Sequence, residues 1–167
     1  YDMYMERIAS KDDKFIIKSL FEANKNIETG KRIPNEKLIN IDSDTLNFDE
    51  IINRPSFIFF WSSSRKSHAI RAQKLARSLQ KKYPEYTYIA INVNDTFEHW
   101  QKTIARYNFD VSKQYYFTDK FDELSKDLAL NSLLKTFIVD RNGIIINAHA
   151  NIFSSNFENE LLQGLNR

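Results

Sequence analysis

The sequence predicts an α/β protein, a mixed sheet covered by helices on both faces as a three-layer sandwich. Three observations predict it. Two continuous apolar runs, "SFIFFW" and "YTYIAINVN", are separated by a long stretch of helix formers, "RAQKLARSLQKK". A later segment, "KTFIVDRNGIIINAHA", reads as two apolar strands joined at Asn142-Gly143. Amphipathic helical patterns fill the intervals and close the chain, so strands and helices alternate as a sheet with crossovers requires.

The elements follow in chain order. Ser10 and Asp13 have the form of a capping-box variant, and Phe15, Ile16, Leu20, Phe21 and Ile27 recur at helical spacing up to Gly30, which predicts an N-terminal amphipathic helix. "KLINID" and "TLNFDEIIN" predict a hairpin or extended lead-in, with Leu38, Ile39, Ile41, Leu46 and Phe48 in short strands around an Asp-Ser-Asp turn. After Pro55, "SFIFFW" suits a central strand buried on both faces. From Ser67 to Tyr83 a long surface helix is expected, its inner face marked by Ile70, Leu75 and Leu79 and its outer face basic. "YTYIAINVN" completes a βαβ unit of parallel strands.

A second helix follows in "DTFEHWQKTIARYNF", capped by Asp95 or Thr96, with Phe97, Trp100, Ile104 and Tyr107 on one face. "QYYF" reads as a short strand or loop, and "DKFDELSKDLAL" as a helix carrying Phe121, Leu124 and Leu128. At Asn142-Gly143 a two-residue turn is expected, with positive φ at both central residues. Ser154 or Ser155 then caps a last helix through Phe157, Leu161 and Leu162.

Composition narrows the function. With 42% hydrophobic residues, 28% charged, only 3 Gly and 3 Pro in 167 residues, the chain has the makeup of one ordered globular protein. Its net charge of +2 arises from 24 basic and 22 acidic residues without a long run of one sign, which gives no footprint for nucleic acid. The absence of cysteine excludes disulfide frameworks, thiolate metal sites and any cysteine-based redox cycle within this chain. No window reaches the ~18 consecutive apolar residues that a membrane-spanning helix needs. The opening "YDMYMERIAS" lacks the layout of a signal peptide, and localisation is not readable from it.

Several landmarks in this order carry a resemblance. "GKRIP" fits a G-x-x-x-P lead-in, Phe60-Trp61 end the central strand, "YIAINVN" is followed by a helix containing Trp100, and "FIVDRNGIII" forms the final hairpin. As an ordered set they resemble the thioredoxin-like fold, most closely its bacterial TlpA-like and alkyl-hydroperoxide-reductase/thiol-specific-antioxidant branch. The resemblance covers residues 30 to 165. It implies a thioredoxin-like three-layer sandwich over residues 31–167, with residues 1–30 as an added N-terminal helical extension.

That family's chemistry lies in a Cys-x-x-Cys at a fixed distance after Phe-Trp, and here those two positions fall on Arg65 and His68, with Lys66 and Ser67 between. Neither arginine nor imidazole forms a mixed disulfide, so thiol-disulfide exchange and thiol peroxidase chemistry are both excluded. The family's cis-proline position corresponds to Leu134, where a cis bond would cost ~3 kcal/mol and a trans peptide is expected.

For the loop that replaces the redox motif, four readings stand side by side. As an anion site, it feeds a helix N-terminus where Ser62, Ser63, Ser64, Arg65, Lys66, Ser67 and His68 supply donors to a carboxylate or phosphate, against the alternative that the two basic side chains are simply solvated. As a serine nucleophile, Ser64 or Ser67 would use His68 as base, but no G-x-S-x-G elbow is present, and a capping serine explains the loop as well. As a metal site it has only His68, His99 and His149 to draw on, at no ligand spacing. As a plain polar loop it does nothing beyond starting the helix. Trp61 and Trp100 read as core, the basic helix face as solvated, and Asn94-Asp95-Thr96 as a glycosylation sequon that matters only in a secretory context.

The expectation is therefore a redox-inactive thioredoxin-like domain with a binding or scaffold role, taking a protein or peptide by strand addition at a sheet edge. The rival is an enzyme or receptor for a small anionic ligand that uses Arg65 and His68. No cofactor and no metal is expected. The resemblance implies the bacterial periplasm or cell envelope.

Overall fold

The computed structural model describes residues 24–118, 121–130 and 132–166. The expected N-terminal helix, with Phe15, Ile16, Leu20 and Phe21, lies outside these residues apart from its end, where residues 24–26 are helical and Ile27 is fully buried. The elements are β1 (Lys37–Ile39), β2 (Thr45–Asn47), α1 (Phe48–Ile51), β3 (Ser56–Trp61), α2 (Lys66–Lys82), β4 (Thr87–Asn92), α3 (Phe97–Tyr107), a 3-10 turn (Val111–Lys113), β5 (Gln114–Tyr116), α4 (Phe121–Leu128), β6 (Thr136–Val139), β7 (Ile145–Ala150) and α5 (Phe157–Leu165).

The strands form one mixed sheet in the order β2-β1-β5-β4-β3-β6-β7. β3 runs parallel to β4 over six residues, from Ser56 beside Thr87 to Trp61 beside Asn92, and β4 runs parallel to β5. The hairpin strands β6 and β7 are antiparallel, and β6 joins the parallel part through antiparallel pairing with β3. Every residue of β3 is buried. That follows from its place inside the sheet, because alternate side chains face opposite layers. Ile58 and Phe60 meet Phe48, Ile89, Ile91 and Leu128 on one face, while Phe57, Phe59 and Trp61 meet α2, Trp100 and Phe157 on the other. The three-layer α/β sandwich is thus as expected.

Local details correct the sequence expectations in four places. Phe48 opens α1 and is not a strand residue: Asn47 and Glu50 form a reciprocal capping box, which draws "FDEI" into helix. The inner face of α2 is made by Ala69, Ala72, Gln73, Ala76 and Leu79, whereas Ile70 is 38% exposed. Small residues allow the helix to sit close to the aromatic side of the sheet; of the three residues expected on the inner face, Leu79 is buried and Leu75 packs against the core, and Ile70 alone turns outward. Neither Ser154 nor Ser155 caps α5, whose N-cap is Asn156; Ser154 Oγ instead accepts from the Asn156 N–H.

The fourth correction concerns the β6–β7 turn. Gly143 alone has positive φ, at 79°, and Asn142 does not. Asp140 decides this: its Oδ1 accepts from the N–H of Asn142 (2.8 Å) and Ile144 (3.0 Å), which favours a three-residue loop with a left-handed third position over the two-residue turn. The β1–β2 loop repeats the device. There Asn40 Oδ1 accepts from Asp42 (3.0 Å) and Asp44 (2.9 Å), and Ser43 takes the left-handed position at φ 67°.

Candidate functional site

The chain leaves β3 at Trp61, which is fully buried and meets Phe109 edge-on at 5.4 Å. The next residues turn back at once, with the Arg65 N–H donating to Ser62 O at 3.0 Å and the Ser62 and Ser64 hydroxyls 3.0 Å apart. Ser63 points inward and is 4% exposed. Its N–H donates to Asp95 Oδ2 at 2.8 Å, and its hydroxyl lies 3.0 Å from Thr103 Oγ1. Since the Thr103 proton goes to His99 O at 2.9 Å, Ser63 is the donor in that pair.

Asp95 is the residue that sequence reasoning missed. Of the two caps the sequence offers, Asp95 or Thr96, it is Thr96 that caps α3, its Oγ1 accepting from the His99 N–H, which leaves the Asp95 side chain for another role. The Asp95 side chain is only 6% exposed. Its Oδ2 also accepts from Asn92 Nδ2 at 2.7 Å, Oδ1 lies 3.7 Å from His99 Nδ1, and its backbone oxygen accepts from the Tyr116 hydroxyl at 2.6 Å. A carboxyl group that accepts two short hydrogen bonds in a position shielded from water makes strong bonds, so Asp95 locks the 62–64 loop onto the end of β4. The one available signal was polar "ND" directly after an apolar strand.

The N-terminus of α2 opens beyond this lock. Arg65 is the N-cap with φ −117° and ψ 67°, no side chain caps the helix, and its first turn holds no acidic residue. Ser64, Arg65, Lys66 and Ser67 are exposed. His68 is half-buried, its ring edge-on to Phe153 at 5.3 Å, while the Arg71 guanidinium sits 4.8 Å from the same Phe153 ring. Nδ1 of His68 has no hydrogen-bond partner among the described residues, so nothing joins it to Ser64 or Ser67 as a base to a nucleophile. His68, His99 and His149 are not gathered either: among the described residues no three His, Asp or Glu side chains are placed to hold a metal ion.

Burial lowers the His68 pKa below its ordinary 6.5, and the charges of Arg65 and Arg71 lower it further. The imidazole is neutral at pH 7, and protonation costs more in the folded than in the unfolded chain. Its stabilising contribution is complete above pH 6.5 and is lost as pH falls below that value towards the folded pKa. His149 shifts the same way, through burial and the charge of Lys135. The urea midpoint should therefore drop between pH 7.5 and pH 5.5, less so in His68→Gln and least in the His68→Gln/His149→Gln double variant. Equal drops in all three proteins would contradict these assignments.

Leu134 stands two residues before β6, and the antiparallel register of β3 with β6 puts it at the sheet end where β3 exits into the 62–68 loop. Every peptide bond of the described residues is trans, Leu134 included, and its side chain is 44% exposed. The two regions that sequence reasoning paired thus lie at one end of the sheet. In chemical terms this end offers exposed cations and helix amides, without a thiol.

No protein-family model matches the sequence, and no curated protein does. Solved structures do. The thioredoxin domain of a thiol-disulfide oxidoreductase from Bacteroides vulgatus superposes with a TM-score of 0.68 at 14% identity, over 82% of this chain and 97% of that one. A thiol:disulfide interchange protein from Bacteroides sp. gives 0.64 at 14% identity, over 85% and 93%. A thioredoxin-like protein from Bacteroides caccae gives 0.68 at 13% identity, over 94% of this chain and 57% of that one. Identities this low speak for the fold alone, and with the mixed sheet and the position of the 62–68 loop they agree on one: the chain has the thioredoxin-like fold of the thiol-disulfide oxidoreductases, built without a cysteine.

Proposed function

We propose that this thioredoxin-like domain binds a protein or peptide partner in the cell envelope and performs no thiol chemistry. The observation that carries the proposal is the loop itself. At the two positions where the resemblance places cysteines stand Arg65, the N-cap of α2, and His68, in its first turn, just after Ser63, which Asp95 and Thr103 hold in place. A fixed loop at the end of a sheet is suited to recognition, and its donors suit an acidic or hydrogen-bonding partner. The envelope location rests on the resemblance; among the described residues no helix is long and apolar enough to cross a membrane.

A second reading is favoured by the uncapped, basic start of α2: a small anion, carboxylate or phosphate, on the amides of residues 66–68 with Arg65 and Lys66 beside them. Both readings are tested with one pair of proteins. The wild type should reduce insulin no faster than buffer, and any turnover above buffer overturns the redox-inactive assignment. Arg65→Ala/His68→Ala should lose a protein captured by the wild type from an envelope fraction. Retention of that protein would move the partner site elsewhere. Phosphate-induced amide shifts at residues 66–68 that vanish in the double variant would favour the anion reading.

A further inference from the structure

A cleft of about 420 Å³, lined by none of residues 62–68, opens between the segment before β6 and the end of β7, with Ser132, Leu134, Lys135, His149 and Asn151 in its wall. Two features of the backbone build it. β7 carries a register shift against β6, because Thr136 pairs with Ala150 while Ile138 pairs with Asn147, and one extra residue is accommodated between. Bulges of this kind re-aim side chains. Here the His149 N–H turns to Asn147 Oδ1 at 2.8 Å, and the His149 ring comes to line the cleft with Lys135.

Lys135 is the chemical centre of this cleft. It is partly buried, its ammonium donates to Ala129 O at 3.0 Å just after α4, and it lies 5.6 Å from the Phe137 ring centroid. Among the described residues no carboxylate comes within ion-pair distance of it, whereas Lys31, Arg32, Lys82 and Lys102 have such partners. An ammonium has three protons, and the Ala129 carbonyl takes one. Burial pulls Lys135 down to about 8, and burial together with the Lys135 charge lowers His149. A structural role as the cap of α4 accounts for one of the three protons, and among the described residues no carboxylate compensates the charge.

We propose that this cleft binds a carboxylate, with the Lys135 ammonium as counter-ion, His149 as a second donor and the exposed Leu134 as a rim for an apolar tail. One net positive group matches a monoanion better than a phosphate dianion, and Leu134, 44% exposed, offers apolar contact beside it. The carboxylate belongs either to a short aliphatic acid or to the C-terminus of a peptide with an apolar last residue. The site shares no donor with the 63–68 loop, so it stands or falls independently of the proposed partner-binding role.

The experiment is an NMR titration of the full chain, following the amides of Thr136, Ala150 and Asn151. Sodium butyrate should give saturable shifts that sodium chloride at equal ionic strength does not. Lys135→Met should weaken that binding at least tenfold and His149→Gln severalfold. If Lys135→Met disturbs the spectrum, Lys135→Gln supplies the same comparison. A tripeptide ending in Leu with a free carboxylate, set against its C-terminal amide, separates the two sources: tighter binding than butyrate that the amide abolishes assigns a peptide end, and binding no tighter than butyrate assigns a small acid. Absence of saturable shifts with both carboxylates, or unchanged affinity in the Lys135 variants, overturns the proposal.

Discussion

Asp95→Ala is expected to lower the unfolding free energy by about 2 to 4 kcal/mol, because it strands buried donors that one carboxylate now satisfies. The Ser63 N–H and Asn92 Nδ2 both converge on Oδ2, at 2.8 and 2.7 Å, and the side chain is 6% exposed. A truncated side chain leaves those groups without a partner in a space too enclosed for ready hydration. Asp95→Asn keeps the shape and one acceptor oxygen but gives up the charge, and it should cost about half as much. Urea unfolding at pH 7 measures both. Hydrogen exchange adds a local readout: the Ser63 and Arg65 amides should exchange faster in Asp95→Ala, while those of β6 keep their order relative to global opening. A loss under about 0.5 kcal/mol, or equal losses for Ala and Asn, would mean that Asp95 is not the lock described here.

The reason Asp95 escaped sequence reasoning applies to most of what was missed. Strand and helix signals are local, and β3, β4 and the hairpin of β6 and β7 are announced by runs of apolar residues with turn residues at their ends. The bonds that fix the site are not local. Ser63 and Asp95 are 32 residues apart, and no local pattern joins them. Gln73 and Gln114 are 41 apart and form a reciprocal buried amide pair, at 2.9 and 2.8 Å, that ties α2 to β5. Each half looks like an ordinary polar surface residue until the sheet is assembled. Lys135 and His149 meet only because the hairpin returns and β7 bulges. The start of α2 was legible for a different reason: its exposed bases and missing acid are visible in a single short window, "SSSRKSH".

Introducing thiols tests how closely the 62–68 loop keeps the geometry of the resembled Cys-x-x-Cys motif. In Arg65→Cys/His68→Cys, one thiol takes the N-cap of α2 and the other the third helical residue, spaced as in the Cys-x-x-Cys of the resembled family. The thiol at position 65 faces helix amides that no side chain caps, with Lys66 next to it, so its pKa should fall below about 7.5 from an ordinary ~8.5. Mild oxidation should then remove two hydrogens per chain by mass, without dimerisation. The thiol at position 68 takes over the half-buried site beside Phe153, which suits the resolving partner because it is shielded from outside attack. Insulin reduction should rise from none to a measurable but slow rate, since Leu134, on a trans peptide, does not present the edge that a cis-proline gives protein substrates. Adding Leu134→Pro should raise the rate further if that edge is the remaining deficit. Failure of the introduced pair to close would show that the turn from Ser62 to His68, although it begins a helix at the same place in the fold, has drifted from the geometry a disulfide demands. The redox inactivity proposed for this chain would then have a basis in the backbone as well as in the side chains.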